Sequence, residues 1–269
     1  MNAQSKEHRP VLQSVENGVL TLTLNRPEAR NALSEGLMAA LQSALDGAAA
    51  DIAVRAIILA ANGRAFCAGH DLKEMTAARA QPDKGAARFR ALFAQCSKLM
   101  QTIVRHPKPI IAQVQGLATA AGCQLVASCD LAFAGREAGF ATPGVNIGLF
   151  CSTPMVALSR NVARKHAMAM LLTGEAITAD EARRIGLVNE VVGDTNLAQV
   201  TRNCAERIAA KPAAVVKLGK EAFYRQLEMG LAEAYDYASQ VMTMNMLGAD
   251  AEEGIGAFVE KRPPEWPKG

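Results

Sequence analysis

Two short turns rich in small residues carry the features of this sequence that best suit chemistry. Residues 67–71 read CAGHD and residues 119–122 read TAAG, and each turn follows a strand pattern and opens a helix. The first N–H groups of a helix have no intrahelical acceptor and stand at the positive end of the helix dipole. Such groups bind anions and stabilise an oxygen that becomes negatively charged during a reaction. We therefore predict that the two turns converge on one developing oxyanion.

The motifs of several other catalytic classes are absent from the sequence. There is no G-x-x-x-x-G-K-[ST] phosphate loop, no G-x-S-x-G nucleophile turn, no H-E-x-x-H metal motif and no G-x-G-x-x-G after a strand. These absences disfavour a P-loop hydrolase, an α/β-hydrolase, a zinc protease and a dinucleotide oxidoreductase. No cysteine forms a C-x-x-C pair or lies at zinc-finger spacing from a histidine. We therefore expect no metal site, and free, mostly buried thiols at Cys67, Cys96, Cys123, Cys129, Cys151 and Cys204.

Composition and charge exclude two kinds of partner. The chain has 269 residues, with 29 Lys and Arg against 26 Asp and Glu, and only 4% of its residues are aromatic. A net charge of +3 and few aromatic rings argue against a nucleic-acid partner. The longest apolar window, residues 110–129, is interrupted by glutamines and glycines, and the first ten residues lack the apolar stretch of a signal peptide. We expect a cytoplasmic protein that does not insert into a membrane.

The first part of the chain has the pattern of alternating strands and helices. Asn17-Gly18 separates strand patterns at residues 11–15 and 19–24, which predicts a hairpin. A helix follows with Ser34 as its N-cap, and residues 54–60 form a buried strand. Asp71 with Glu74 three residues later fits a capping box for the next helix.

The second part of the chain continues this alternation and then becomes helical. Residues 76–87 have loop composition, a helix is expected over 88–104, and the sequence HPKP at 106–109 ends it. Further strands are expected at 110–114, 131–134, 140–142 and 188–192, and a small-residue helix is expected between Gly116 and Ser128. From residue 152 the chain is mainly helical, and a composition change near residue 195 divides it into 1–195 and 196–269. The fold class is α/β with a helical C-terminal region.

A series of motifs runs in order along almost the whole chain. They are NRP at 25–27, NAL at 31–33, AFCAGHDLKEM at 65–75, residues 115–130 and 140–148, TGE at 173–175, Ala182, GLV at 186–188 and FVEKR at 258–262. Together they resemble the enoyl-CoA hydratase/isomerase (crotonase) superfamily. The resemblance implies a spiral of ββα units over 1–195 and a helical region over 196–269 that forms a homotrimer or a dimer of trimers and caps coenzyme A. It also implies an acyl-CoA thioester as substrate and partner, with no cofactor beyond the coenzyme A of that substrate.

The resemblance assigns roles to individual residues. The backbone amides of His70 and Ala121 match the pair that polarises the thioester carbonyl in the family. Lys73 matches a lysine near the phosphates of coenzyme A, and Phe258 and Lys261 match positions at its adenine and phosphate end. An exposed first-turn lysine and a structural helix end explain these three residues equally well. The substrate-binding positions implied are Ala68, Gly69, His70, Asp71, Leu72, Lys73, Ala121, Gly122, Phe258 and Lys261.

The sequence departs from the family where proton chemistry takes place. The two glutamates of hydratases fall on Gln124 and Gly144, and the carboxylate of other members falls on Ser152. General acid–base catalysis contributes about 10²–10⁴-fold, so we expect a lyase- or isomerase-type enzyme with weak hydratase activity and an unknown catalytic group.

Two alternatives to this weak enzyme stay open. One is a non-catalytic acyl-CoA-binding or regulatory protein. The other is a CoA-thioester hydrolase in which Ser152 or Cys151 is the nucleophile and His70 is the base. Simpler roles for the same residues are a buried cysteine, a helix cap and a histidine that acts only through its backbone.

Overall fold

The computed structural model describes residues 9–266 and contains, within that range, ten strands and eleven α-helices. The strands are β1 (Val11–Glu16), β2 (Val19–Leu24), β3 (Ala56–Ala61), β4 (Ala65–Cys67), β5 (Ile110–Val114), β6 (Leu117–Thr119), β7 (Leu131–Gly135), β8 (Gly139–Ala141), β9 (Ile177–Thr178) and β10 (Glu190–Val192). The helices are α1 (Glu35–Ala50), α2 (Leu72–Ala78), α3 (Ala86–Arg105), α4 (Ala121–Ser128), α5 (Ser152–Asn161), α6 (Arg164–Thr173), α7 (Ala179–Arg184), α8 (Leu197–Ala209), α9 (Ala213–Gln226), α10 (Leu231–Met246) and α11 (Ala249–Glu260). Short 3-10 helices span Pro27–Ala29, Pro143–Ile147 and Asp194–Asn196.

The strands form two sheets, and the chain alternates between them. The larger sheet has the order β1-β2-β3-β5-β7-β10, and the smaller has the order β4-β6-β8-β9. Two consecutive strands are followed by helical structure four times, as β1-β2-α1, β3-β4-α2-α3, β5-β6-α4 and β7-β8-α5. From β2 onward the larger sheet is parallel, and so are β4, β6 and β8. This arrangement confirms the expected spiral of ββα units followed by C-terminal helices.

The local predictions near the N-terminus are confirmed. Asn17 and Gly18 both have positive φ angles of 50° and 76°, as a two-residue hairpin turn requires, and Glu16 pairs with Val19. The hydroxyl of Ser34 accepts a hydrogen bond of 3.1 Å from the amide of Leu37 at the start of α1. Turn chemistry and helix capping therefore determine how the first ββα unit begins.

The predicted capping box is wrong, although its first residue does cap α2. The carboxylate of Asp71 accepts from the amide of Lys73 at 3.1 Å. Glu74 instead accepts a hydrogen bond of 3.0 Å from the amide of Glu35, at the first residue of α1. Its carboxylate therefore links the starts of two helices, because a free helix amide in space competes with the one nearby in sequence.

Three further differences concern short elements. The sequence does not predict β4, and β6 lies in the range 116–128 where a helix is expected, because a three-residue strand is too short to show an alternating pattern. The predicted loop at 76–87 is shorter, since α2 extends to Ala78 and α3 begins at Ala86.

All six cysteines are free and buried, as expected.

Both faces of the larger sheet are covered. One face packs against α1 and α3 through residues such as Leu41 and Leu99, and the other packs against α8 through Leu197 and Ala205. Burial on both faces explains why β3 and β5 are nearly continuous apolar runs.

A buried polar network attaches α9 to the sheet. The ammonium of Lys220 donates to Asp130 Oδ2 at 2.6 Å and to the carbonyls of Ile103 and Lys108 at 3.1 Å. The hydroxyl of Tyr224 donates to Asp130 Oδ1 at 2.9 Å. The side chain of Lys220 is only 7% exposed, and Asp130 also accepts from a backbone amide at 2.7 Å. Each charge of the pair therefore has an opposite charge and further hydrogen bonds inside the protein, although burial still lowers the pKa of Lys220.

Candidate active site

The carboxyl ends of three parallel strands bring three turns to one edge of the smaller sheet. Cys67 in β4 pairs with Ala118 in β6, and Thr119 in β6 pairs with Ala141 in β8. The turns that follow are residues 68–71, 120–122 and 142–144. Ligands of α/β proteins bind beyond the carboxyl ends of strands, so this edge is the candidate active site.

The first two turns are in direct contact. Gly69 has a φ of +84°, and a Cβ added to it would lie 3.0 Å from the Cβ of Ala120 and 3.4 Å from the amide nitrogen of Ala121. A Cβ added to Gly122 would overlap the carbonyl of Cys67. Both glycines are therefore required for the close approach of the turns, which the structure brings into contact.

The backbone leaves the amides of His70 and Ala121, which lie at this contact, free to donate. Leu33 bridges the first turn, with its amide donating to the Gly69 carbonyl at 2.7 Å and its carbonyl accepting from Asp71 at 3.3 Å. In such a parallel bridge the amide of the central residue, His70, faces away from the bridging strand. Ala121 is the first residue of α4, so its N–H has no acceptor within the helix.

Ala120 holds a backbone conformation that side chains rarely adopt. Its φ and ψ are 48° and −117°, which is a region populated mainly by glycine. The amide of Ala120 donates to the carbonyl of Ala141 at 2.9 Å, and its own carbonyl accepts from Gln124 at 3.0 Å. These bonds hold the strained residue and thereby fix the direction of the next amide, that of Ala121.

The imidazole of His70 lies beside the same contact. Its ring packs edge-to-face on Phe93 of α3, with 5.6 Å between the ring centroids. Both ring nitrogens are buried and have no partner at hydrogen-bond distance among the described residues. Burial lowers the pKa of His70, and the nearby carbonyl of Leu33 opposes only part of this shift. The imidazole is therefore neutral at pH 7.

The positions of the two missing glutamates differ in the room they offer. Gln124 is a buried residue of α4, and its Oε1 lies 4.0 Å from the Sγ of Cys96. At Gly144 an added Cβ would lie 2.8 Å from the Leu149 carbonyl oxygen and 2.9 Å from the Sγ of Cys151. A glutamate would fit at 144 only if residues 149–151 moved, so the backbone itself occupies that place.

The residues proposed for a hydrolase are not arranged as a nucleophile and its base. Cys151, rather than Ser152, is the N-cap of α5, which corrects the expectation of a serine cap. Ser152 is exposed and its hydroxyl donates to the carbonyl of Phe150 at 3.4 Å. Burial raises the pKa of the Cys151 thiol, which disfavours the thiolate. No hydrogen bond joins either side chain to His70 in the part of the chain that the structure describes.

The remaining predicted binding residues lie on the surface or are tied to the fold. Asp71 forms an ion pair of 3.3 Å with Arg26, while Leu72 and Lys73 are exposed at the start of α2. Phe258 is 84% exposed and Lys261 caps the end of α11. The predicted binding residues of the two turns therefore lie close together, whereas Phe258 and Lys261 lie apart from them at the end of α11.

Two residues of this region were missed by sequence reasoning. Phe93 packs against the ring of His70. Nothing in the helical pattern of α3 distinguishes Phe93 from a core residue. The hydroxyl of Thr142 is fully buried and has no partner within the described residues. The position of Thr142 directly after β8 could have indicated a site residue, because the ends of the strands at this edge form the site.

Other surface features do not compete with this site. Two grooves of about 520 and 610 Å³ lie beside Arg105 and Arg207, and their linings contain none of the predicted site residues. In residues 9–266, no cluster of three or more His, Cys, Asp or Glu side chains is placed to hold a metal ion. No helix in this range is both long and apolar enough to cross a membrane.

The fold and the two converging turns define a family, and comparison with known proteins agrees. The sequence model of the enoyl-CoA hydratase/isomerase family matches residues 14–269. The chain belongs to this family.

Particular relatives cover almost the whole chain. The rat protein named enoyl-CoA hydratase domain-containing protein 3, mitochondrial, is 47% identical over 262 residues, which are 97% of this chain and 86% of that protein. The crystal structure of enoyl-CoA hydratase from Mycobacterium smegmatis is 54% identical, with a TM-score of 0.91 over 96% of this chain and 98% of that one. The structure of human enoyl-CoA hydratase domain-containing protein 3 is 46% identical, with a TM-score of 0.91 over 96% and 100% of the two chains.

The comparison also corrects one expectation. The rat, mouse and human relatives are all named as mitochondrial proteins. The expectation of a cytoplasmic protein, which rested on the composition of the first ten residues, is therefore wrong. Composition near the start of a chain is a weak guide to location, because targeting depends on recognition by a receptor rather than on packing.

Proposed function

We propose that this protein binds acyl-CoA thioesters and polarises the thioester carbonyl with the backbone amides of His70 and Ala121. The observation that carries the proposal is the contact between Gly69 and the turn at 120–121, where an added Cβ would lie 3.4 Å from the Ala121 nitrogen. This contact supports two free amides directed at one oxygen. The proposed chemistry uses no cofactor besides the coenzyme A of the substrate.

Two amides at one carbonyl oxygen stabilise an enolate. When a proton leaves the carbon next to the thioester, negative charge moves to the carbonyl oxygen, and preorganised N–H donors lower the energy of that state. Each such donor contributes roughly 2.7–4 kcal/mol to transition-state stabilisation. The strained backbone at Ala120 supports this role, because strain is retained where it orients a functional group.

The hydration of an enoyl-CoA is proposed to be weak. The amide of Gln124 cannot accept a proton at neutral pH, Gly144 has no side chain, and Ser152 is an exposed hydroxyl. We expect crotonyl-CoA to be hydrated at least about 100-fold more slowly than by a family member that carries both glutamates, because general acid–base catalysis contributes about that much or more. An equal rate would contradict this part of the proposal.

Calorimetric titration with butyryl-CoA tests the binding function. The wild-type protein should bind, and Gly69→Ala should weaken binding at least about tenfold because the added methyl group separates the two turns. Gly186→Ala is the matched control, since Gly186 has a nearly identical φ of +86° but its added Cβ would approach only the Asn161 carbonyl, at 3.7 Å. The control should bind as the wild type does, and a wild-type protein that does not bind butyryl-CoA would overturn the proposal.

A binding protein without turnover is the second candidate function. It is favoured by the backbone of residues 149–151, which occupies the place of the second glutamate. A spectrophotometric screen of unsaturated, β-hydroxy and saturated CoA thioesters separates the two candidates. Turnover of any of them supports the enzyme, and saturable binding without turnover supports the binding protein.

We also propose that residues 196–269 form the contacts of a homotrimer or a dimer of trimers. The helices of this region expose large apolar side chains to an extent that a monomer seldom does, at Phe223, Leu227, Leu231, Tyr235, Leu247, Phe258 and Val259. In that assembly Phe258 would be buried, and Phe258 and Lys261 would lie at the coenzyme A end of a substrate. Sedimentation should give three or six times the 28.5 kDa of one chain, and a monomer would contradict this proposal.

A further inference from the structure

The imidazole of His70 has no task in the proposed binding function. Carbonyl polarisation uses only the backbone amide of this residue. Within the described residues, neither buried ring nitrogen has a hydrogen bond of good geometry, although the Leu33 carbonyl lies nearby. A buried polar group without a hydrogen bond is rare in native proteins and points to a ligand or to chemistry.

The ring and the position of the first hydratase glutamate both contact the same helix, α3. His70 contacts Phe93, and the side chain of Gln124, at the glutamate position, contacts Cys96. Phe93 and Cys96 are three residues apart on α3, so they lie on one face of that helix, separated by about 4.5 Å along its axis. The imidazole and the former glutamate position therefore contact neighbouring turns of α3.

The carboxylates of the flanking helix starts have other partners in the described part of the chain. Asp71 is paired with Arg26, and Glu74 accepts from the amide of Glu35. The carboxylate of Glu35 is itself paired with Arg88 at 2.5 Å. On α3, burial raises the pKa of the Cys96 thiol to about 12, so this group stays neutral. Burial also lowers the pKa of the imidazole, which is therefore available as a neutral base.

Building on the proposed acyl-CoA binding, we propose that the His70 imidazole removes and returns the proton on the carbon next to the thioester carbonyl. One ring nitrogen takes the proton and becomes an imidazolium. The electron pair of the broken C–H bond moves into the carbonyl and forms an enolate, which the amides of His70 and Ala121 hold. Return of a proton from the ring to the same carbon regenerates the thioester, and the reaction is balanced without any other reactant.

This role defines two classes of substrate. A saturated acyl-CoA exchanges its α-protons with solvent and is otherwise unchanged, because the imidazolium exchanges its proton with water before it returns one to the α-carbon. A β,γ-unsaturated acyl-CoA is isomerised, because the ring returns the proton to the γ-carbon and the double bond moves into conjugation with the carbonyl. A single base is sufficient for both reactions, whereas hydration with two glutamates activates a water and protonates the α-carbon.

Deuterium exchange tests the role of the imidazole. Butyryl-CoA is incubated in D₂O with the full-length protein, and the loss of its α-proton signal is followed by NMR. The wild type should exchange these protons, and His70→Gln should lose at least about 100-fold of the rate. Binding of butyryl-CoA should change less than about threefold, because the backbone amide is kept. The matched control is His166→Gln, on α6, which should exchange at the wild-type rate.

The pH profile separates catalysis from structure. The exchange rate should fall as the ring becomes protonated, with an inflection below the ordinary histidine pKa of about 6.5. Thermal unfolding checks that His70→Gln is folded, and added imidazole should restore part of the exchange in His70→Ala. Wild-type binding without exchange, or full exchange in His70→Gln, would overturn this inference and leave the binding function intact. Absence of binding by the wild type would instead overturn the binding function.

Discussion

The protein treats buried polar groups in opposite ways in two regions. Where α9 meets the sheet, Asp130, Lys220 and Tyr224 satisfy one another and the surrounding backbone. At the edge of the smaller sheet, the imidazole of His70 and the hydroxyl of Thr142 are buried and have no hydrogen-bond partner within residues 9–266. A satisfied network fixes the structure, whereas unpaired groups raise the energy of the empty protein and are available to a ligand. We therefore expect the first region to contribute stability and the second to contribute chemistry.

The largest expected effect is the loss of the ion pair in the first region. Lys220→Met leaves the carboxylate of Asp130 buried without its counter-ion, which should lower the free energy of unfolding by about 3–5 kcal/mol. Urea denaturation measures the change, and Lys217→Met, an exposed lysine on the same helix, is the control and should stay within about 0.5 kcal/mol. Equal stability of the two variants would mean that the network does not anchor α9.

The next effect tests how tightly residues 149–151 pack against Gly144 in the second region. Gly144→Ala should lower the free energy of unfolding by about 1–3 kcal/mol, because its methyl group meets the Leu149 carbonyl and Cys151. Gly47→Ala adds the same atom inside α1 with nothing within 4 Å and should stabilise by about 0.5–1 kcal/mol. If both variants gained stability, residues 149–151 would be able to move, and position 144 would have room for a glutamate side chain.

The strain in the second region predicts a gain in stability. Ala120→Gly should raise the free energy of unfolding by about 1 kcal/mol, because relief of the backbone at φ 48° and ψ −117° exceeds the extra entropy of glycine in the unfolded chain. Thermal and urea unfolding measure it. A loss of stability would show that the carbonyl and amide bonds of Ala120 do not hold a strained conformation.

The smallest effect contrasts one hydroxyl from each region. Tyr224→Phe removes a hydroxyl that donates to Asp130 and should destabilise by about 1 kcal/mol, whereas Thr142→Val removes an unpaired buried hydroxyl and should stabilise by a similar amount. Opposite signs in urea denaturation support the comparison. The same sign for both variants would remove the distinction between a satisfied and an unsatisfied region.

Local chemistry in the sequence was sufficient to predict much of the fold. The hairpin at Asn17-Gly18 and the cap at Ser34 depend on residues within a few positions of one another, and both are observed. The capping box failed because Glu74 bonds to Glu35, which is 39 residues away. The strands β4 and β6 have only three residues each, so their register with one another determines them more than their own pattern does.

The candidate site was predictable in its backbone and much less in its side chains. Small residues before helices pointed to the turns around Gly69 and Ala121, which the structure brings into contact. The contact of His70 with Phe93 joins residues on separate elements, and the lack of room at Gly144 depends on a backbone five residues later. Neither fact is encoded in a local pattern.

The most direct test of the central claim measures the thioester carbonyl itself. Butyryl-CoA labelled with ¹³C at that carbonyl is bound to the protein, and isotope-edited infrared spectroscopy records its stretching frequency. Two amide donors should lower the frequency on binding to the wild type and to Gly186→Ala, and much of this shift should be lost in Gly69→Ala. A bound carbonyl with the same frequency as in solution would contradict an oxyanion hole formed by His70 and Ala121.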